Sequence, residues 1–504
     1  MAAGIQQQDA AEDIVIAGAG LAGLAVALGL HRKGVRSVVL ESSPERRTSG
    51  FAFFTWTNAF RALDALGVGD KMRGRHLQLQ GLRVMTSSTG EIAREMDLRV
   101  NGKLGPHEVR CVQRNVLLQA LEEELPPGTV RYSSKIVSID DQDGAKILHI
   151  ADGSTLRAKV LIGCDGINSV VAKWLGLAKP SESGRTATRG YAKYPEGHGF
   201  EPKILQFVGE GFRAGLVPWS DTDVYWFFTW SPAPSPDANG KDDDAVDRSA
   251  AAMKQFVLTK MTGAKVSPEV LEAVERSEMS DVLAAPLRFR SPLSLLFASI
   301  SKGNVARARR PRRGVDRSAA AMKQFVLTKM TGAKVSPEVL EAVERSEMSD
   351  VLAAPLRFRS PLSLLFASIS KGNVCVAGDA LHPTTPDLAQ GACTALEDGV
   401  VLARCLGDAI VGAGSGEAEG EGRGCPAQCV VGGSWEQKER VVAALRRYAG
   451  IRRWRSAQVI AVSYAVGFVQ ESDHSVVSFV RDMLLSGVLA KTLLMMPDYD
   501  CGKL

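Results

Sequence analysis

The segment Gly18-Ala19-Gly20-Leu21-Ala22-Gly23 carries three glycines in the spacing G-x-G-x-x-G, and Glu41 follows 23 residues after the first of them. This spacing suits phosphate binding. Gly18 permits a tight turn, Gly20 lets a pyrophosphate approach the backbone, and Gly23 lets helix and strand pack closely. A helix that starts here offers unpaired N–H groups and the positive end of its dipole to the phosphates. Glu41 stands where a carboxylate accepts hydrogen bonds from a ribose. The flanking pattern agrees: Asp13–Ala17 reads as an apolar strand, Leu24–Lys33 as a helix ending at Gly34, and Ser37–Leu40 as a second strand ending on Glu41. The motif alone does not separate FAD from NAD.

Two further acids follow buried strands. Lys159–Gly166 reads KVLIGCDG and sets Asp165 at a strand end, before Ile167–Val170 open a helix. Asn373–Asp379 reads NVCVAGD and ends on Gly378-Asp379. The chain then runs through His382 and Pro386 into Asp387–Cys393 and a helix to about Leu406. Taken singly, each acid is also what a turn or cap after a strand calls for. His382 is read as a structural hydrogen-bonding residue rather than an acid or base. The aromatic cluster Tyr225-Trp226-Phe227-Phe228-Trp230 reads as strand packing, with one or two rings turned to a substrate.

In this order and spacing the motifs resemble the aromatic-hydroxylase (class A) family of FAD-dependent monooxygenases, above all its plant salicylate-hydroxylase-like members. The resemblance extends to the C-terminal runs Tyr448–Ile460 and Val476–Lys491. It implies an α/β fold: an FAD-binding Rossmann-like domain of the glutathione-reductase type, with a β-sheet substrate domain like that of p-hydroxybenzoate hydroxylase. It implies FAD as cofactor, NAD(P)H as co-substrate, and O2 and a small aromatic or apolar molecule as reactants. Residue by residue, it implies that Glu41 holds the ribose, that Arg114 contacts the phosphate or ribityl region, and that Arg47 lies near the flavin. Asp165 falls in a motif serving both FAD and transient NAD(P)H, and Asp379, after Gly378, binds the ribityl chain. The Pro386–Cys393 loop lies along the isoalloxazine ring, with the N–H groups of Ala392 and Cys393, just past Gly391, near its N1/O2 edge. A helix starting after Cys393 would turn its positive end to the pyrimidine, where reduced flavin carries negative charge. Family glycines are replaced by Ala389 and Ala392.

The implied chemistry is hydroxylation or epoxidation, in which NAD(P)H reduces the flavin and O2 reacts at C4a of the reduced ring. No catalytic base and no metal-ligand pattern stands out. Two rivals stay open: a dehydrogenase or reductase on the same scaffold, and a flavin-binding product impaired by an internal duplication.

The elements that must position these residues divide into a discontinuous cofactor domain (10–76, 108–180 and 372–410) and a substrate domain (77–107 and 181–300). The alternating segments Leu77–Leu98 and Thr186–Trp230 supply a sheet that roofs the flavin. Residues 411–434 read as a flexible Gly-rich loop. Residues 435–504 read as helical, with the basic run Glu439–Arg455 a long packing helix. An exact repeat interrupts this plan. Val246–Val305 recurs unchanged as Val315–Val374, joined by the Arg-rich Ala306–Gly314. Two identical copies are not a solenoid. A recent duplication and a faulty gene model fit equally, and 306–374 is set apart as the insert, either copy being able to fill the native place.

The 504 residues carry a net charge of +5. The joiner alone contributes five arginines, so the basic balance belongs to the insert and argues for neither nucleic-acid nor membrane partners. No apolar run is long enough to span a bilayer. The short, polar N-terminus leads to the expectation of a cytoplasmic enzyme, and the eight scattered cysteines read as buried free thiols.

Overall fold

A computed structural model describes residues 10–46, 52–86, 92–209, 212–230, 319–332, 335–347, 352–412, 435–471 and 494–504. Arg47, the first repeat copy, the joiner, residues 413–434 and the run Val476–Lys491 lie outside the described residues.

The chain opens with strand β1 (Ala10–Ala17), helix α1 (Leu21–Arg32) and strand β2 (Val38–Leu40). Strand β3 (Ala52–Thr55), helices α2 (Thr57–Leu66) and α3 (Gly69–Arg73), and strands β4 (Gly81–Thr86) and β5 (Ile92–Asp97) follow. A two-residue hairpin, β6 (Asn101–Gly102) and β7 (Gly105–Pro106), precedes strand β8 (Arg110–Gln113) and helix α4 (Arg114–Glu122). Strands β9 (Val130–Arg131), β10 (Ile136–Gln142), β11 (Ala145–Ile150) and β12 (Thr155–Gly163) lead to helix α5 (Val170–Trp174). Strands β13 (Ser181–Lys193), β14 (Lys203–Gly209), β15 (Phe212–Pro218) and β16 (Asp223–Trp230) come next. Then come helices α6 (Ala319–Gly332) and α7 (Pro337–Arg345), strand β17 (Leu352–Phe358), helix α8 (Pro361–Phe366), and strands β18 (Ser370–Lys371) and β19 (Val374–Val376). Helices α9 (Gly391–Val411) and α10 (Trp435–Glu471) complete the elements.

Two sheets carry the architecture. In the first, β1 lies between β12 and β2, all parallel, with β9 beyond β2 and β19 parallel to β12. The β10–β11–β12 meander closes one edge. The central strands are continuous Val/Ile runs because helices cover both faces. Chain reversals fall on glycines: Gly34 (φ 74°) follows α1 and Gly67 (φ 79°) caps α2, both left-handed. The second sheet runs β17-β13-β16-β15-β14-β4-β5 and is antiparallel except where β14 meets β4.

The alternation of the aromatic run sorts its side chains by face, as a two-residue period demands. Tyr225 and Phe227 face a cavity. Trp226 and Phe228 are buried on the other face, in one cluster with Val326, Met330, Val339 and Val343 of α6 and α7. The Trp226 indole N–H donates to Ser346 Oγ at 2.5 Å. These helices and β17 belong to the second copy, set apart as the insert on sequence alone. Here that copy completes the sheet, Thr186 to Arg189 of β13 pairing with Leu352 to Pro355 of β17.

Candidate active site

Two connected cavities run along the C-terminal ends of the parallel strands. The first, of about 430 Å³, is lined by Gly18, Ala19, Gly20, Glu41, Arg114, Asp165 and Gly166, among others. The second, of about 530 Å³, lies between the α1 end and the second sheet; it shares Gly20, Arg114, Cys164 and Gly166 with the first.

The glycine fingerprint sits at this junction. Gly18 has φ 97°, and a Cβ on it would meet the Cys164 carbonyl oxygen at 2.6 Å. A Cβ on Gly23 would lie 1.9 Å from the Gly18 oxygen, whereas one on Gly20 would meet nothing. The last position is therefore open for a ligand to approach the backbone. Gly20 caps α1 without a side-chain bond, so the first N–H groups of the helix face the cavities uncapped. Leu21 and Ala22 line the second cavity. Glu41 accepts from the Ala19 and Ser43 N–H groups, both at 2.8 Å, which fixes its carboxylate at the far end of the groove.

Asp165 accepts from Ser169 Oγ at 2.5 Å and Val170 N–H at 2.6 Å, while Ser169 caps α5 through the Ala172 N–H. Its carboxylate thus organises the turn into α5 beside the groove. Burial raises its pKa, against the downward pull of these bonds. Gly378 (φ 61°) lies so near α1 that a Cβ would be 2.7 Å from Ala22 Cβ, so the two fingerprints pack together. Asp379 follows and faces the second cavity. The surrounding protein raises its pKa, partly offset by His382 and Arg114.

Helix α9 begins at Gly391, three residues before the start read from the sequence. Its cap residue Gln390 makes no capping bond, so the N–H groups of Gly391, Ala392 and Cys393 head an uncapped helix end at the cavity. Cys393 itself is buried, its thiol pushed up to about 12 by desolvation. Pro386 starts the short helical turn before this end, and Ala389 closes it at φ 51°. That left-handed angle is one that glycine adopts more readily than alanine.

Beneath α9 lies a fully buried charged network that sequence reading missed, except for His382. Asp398 accepts from the Gly378 N–H at 2.7 Å, His382 Nε2 at 2.6 Å and Arg452 Nε at 2.5 Å. Glu397 pairs with Arg452 at 2.7 Å and Arg455 at 2.8 Å, and accepts from Asn58 at 2.6 Å. The signal for it was the regular placement of Arg452 and Arg455 on one helix, visible only once a partner helix with adjacent acids is known to face them. The roof of the second cavity is Leu82, Ile204, Tyr225 and Phe227, with Arg189, Arg213, Arg357 and Gln206 among them. Burial pushes the Tyr225 phenol up to about 12.

A family pattern described as an FAD binding domain matches residues 11–290 and 308–418 of this chain. The chain is 38% identical over 502 residues to Monooxygenase 2 of Arabidopsis thaliana, covering 99% of each. The chain belongs to the aromatic-hydroxylase-type family of FAD-dependent monooxygenases. It is 30% identical to Monooxygenase 1 of the same plant, covering 97% of this chain and 99% of the relative. Among solved structures, Klebsiella pneumoniae HpxO bound to FAD and uric acid has the same fold (TM-score 0.66, 18% identity, 96% of each chain). The family's fold and its cofactor, FAD, thus account for the glycine-lined groove. Among the described residues, no helix is long and apolar enough to cross a membrane.

Proposed function

We propose that this monooxygenase takes electrons from NAD(P)H and one oxygen atom from O2 to hydroxylate or epoxidise a small, planar aromatic or apolar substrate in the cytoplasm. The observation that carries this reading is the cavity of about 530 Å³ between the aromatic roof and the uncapped end of α9, continuous with the glycine-lined groove. Bound FAD supplies hydride acceptance and oxygen activation.

In this reading Glu41 holds the adenosine ribose, the α1 end with Gly18 and Gly20 holds the pyrophosphate, and Arg114 reaches the phosphate or ribityl region. Asp379 binds the ribityl chain. The N–H groups of Ala392 and Cys393 stabilise negative charge at the pyrimidine edge. The apolar roof excludes water from the reacting atoms. Arg189, Arg213 and Arg357 favour a substrate with an anionic or strongly accepting oxygen. Tyr225, protonated at neutral pH, serves as a hydrogen-bond donor rather than a base.

The test is an incubation of the FAD-loaded protein with NADH or NADPH and a panel of phenols and aromatic acids under ¹⁸O2. Product carrying one ¹⁸O supports the proposal. Substrate-dependent NAD(P)H oxidation with no label in product would replace it by the dehydrogenase or reductase reading.

A further inference from the structure

Asp387 belongs to the loop that precedes α9, yet its side chain is wholly buried. Two arginines of the roof sheet converge on it. Arg185 of β13 donates from both terminal nitrogens, to Oδ1 at 2.9 Å and Oδ2 at 2.6 Å. Arg213 of β15 brings one nitrogen to 3.3 Å from Oδ1 and the other to 3.5 Å from the Asp387 carbonyl oxygen. Helix α10 closes the remaining side: a Cβ on Gly467 would lie 2.3 Å from Asp387 Oδ2 and 2.5 Å from the Arg185 nitrogens. Burial alone would raise the Asp387 pKa; the two guanidiniums outweigh it and hold the carboxyl below its ordinary value.

The two arginines differ in one respect. Arg213 lines the second cavity, and Arg185 does not. The Arg213 guanidinium also lies 5.4 Å from the Phe227 ring centroid, so an aromatic face and an anionic side chain restrain it together. The arrangement leaves one flavin-side loop residue holding a cavity-facing cation of the roof.

We propose that Asp387 is a positioning residue: it fixes the Arg213 guanidinium for an anionic oxygen of the substrate and couples that contact to the loop leading into α9. The proposal rests on the function proposed above. It separates cleanly from a plain electrostatic role. Removing a buried negative charge beside the cavity would, by Coulomb attraction alone, strengthen anion binding. Loss of positioning weakens it, because a guanidinium that must be ordered on binding loses the advantage of preorganisation.

The experiment titrates FAD-loaded protein with benzoate and with its neutral twin benzamide, following the flavin absorbance. The wild type is expected to prefer benzoate. Asp387→Asn should weaken benzoate on the order of tenfold and benzamide by less than about twofold, the scale of one lost charge-assisted contact. Gly467→Ala, which displaces the same carboxylate without changing charge, should act in the same direction. Arg213→Gln should abolish the preference, and Asp387→Asn should add nothing to it. Unchanged or tighter benzoate binding in Asp387→Asn overturns the proposal, as does equal weakening of both probes or the absence of a wild-type preference. If Asp387→Asn loses its FAD, the benzoate-to-benzamide ratio of Gly467→Ala decides by the same criteria. A wild-type chain that holds no FAD sinks the wider functional reading instead.

Discussion

Replacing Asp398 by Asn keeps the side chain's shape and removes its charge. In the native protein this carboxylate faces His382 and Arg452 with no access to water. Breaking one member of such a buried network costs about 3–5 kcal/mol, because the remaining cation is left uncompensated. Burial alone would raise the Asp398 pKa, but His382 and Arg452 more than reverse this and hold it at about 2. A depressed carboxyl contributes stability above its unfolded pKa, near 3.8, and loses it as pH falls through the folded value. By linkage about 1 kcal/mol of that contribution is gone at pH 3 and about 2 kcal/mol at pH 2. The Asn variant lacks this term, so the gap between wild type and variant should narrow by those amounts on acidification. Urea unfolding followed by tryptophan fluorescence, at constant excess FAD, measures both. A gap below about 1 kcal/mol at pH 7, or one that stays constant down to pH 3, would refute the reasoning.

Ala389→Gly relieves a left-handed alanine and should raise stability by about 1 kcal/mol, read as a higher Tm with unchanged FAD content. Gly23→Ala sets a methyl group against the Gly18 carbonyl, and the purified protein should lose most of its bound flavin, measured by absorbance. Ser346→Ala strips the Trp226 indole of its buried acceptor and should cost about 1–3 kcal/mol in urea unfolding.

The cofactor half of the fold was legible because its signals are local. A βαβ unit with fixed glycines writes itself into 29 consecutive residues, Asp13 to Glu41, and the groove lies where they predict. The alternation of Tyr225 to Trp230 likewise announced a strand with two unlike faces. The buried ion network was not legible. Arg452 and Arg455 sit in a run that is basic on its surface, and a helical wheel cannot show that Glu397 and Asp398 of another helix neutralise two of its charges. Asp387 was hidden for the same reason, its partners being 202 and 174 residues away. Nor does an exact repeat reveal which copy enters the sheet, since identical sequences have identical propensities. The start of α9 shifted by three residues because Gly391 has little intrinsic helix preference, and only the packed turn before it sets the helix going.

The packing of α1 against α9 has a consequence for what the groove accepts. A Cβ on Gly29 would lie 2.5 Å from Ala403 Cβ, and one on Gly399 would lie 2.4 Å from Ala25 Cβ. With Gly378 against Ala22, these contacts form a seam of the smallest side chains, so close that neither helix slides along the other without collision. Both helices present their uncapped ends to the second cavity. The seam therefore works as a ruler: it sets the span between the two anion-favouring ends. A ligand long enough to engage both gains both, whereas a mononucleotide engages only one. The span between those ends is thus set in part away from the cavities, by Gly29 against Ala403 and Gly399 against Ala25, none of which lines either cavity.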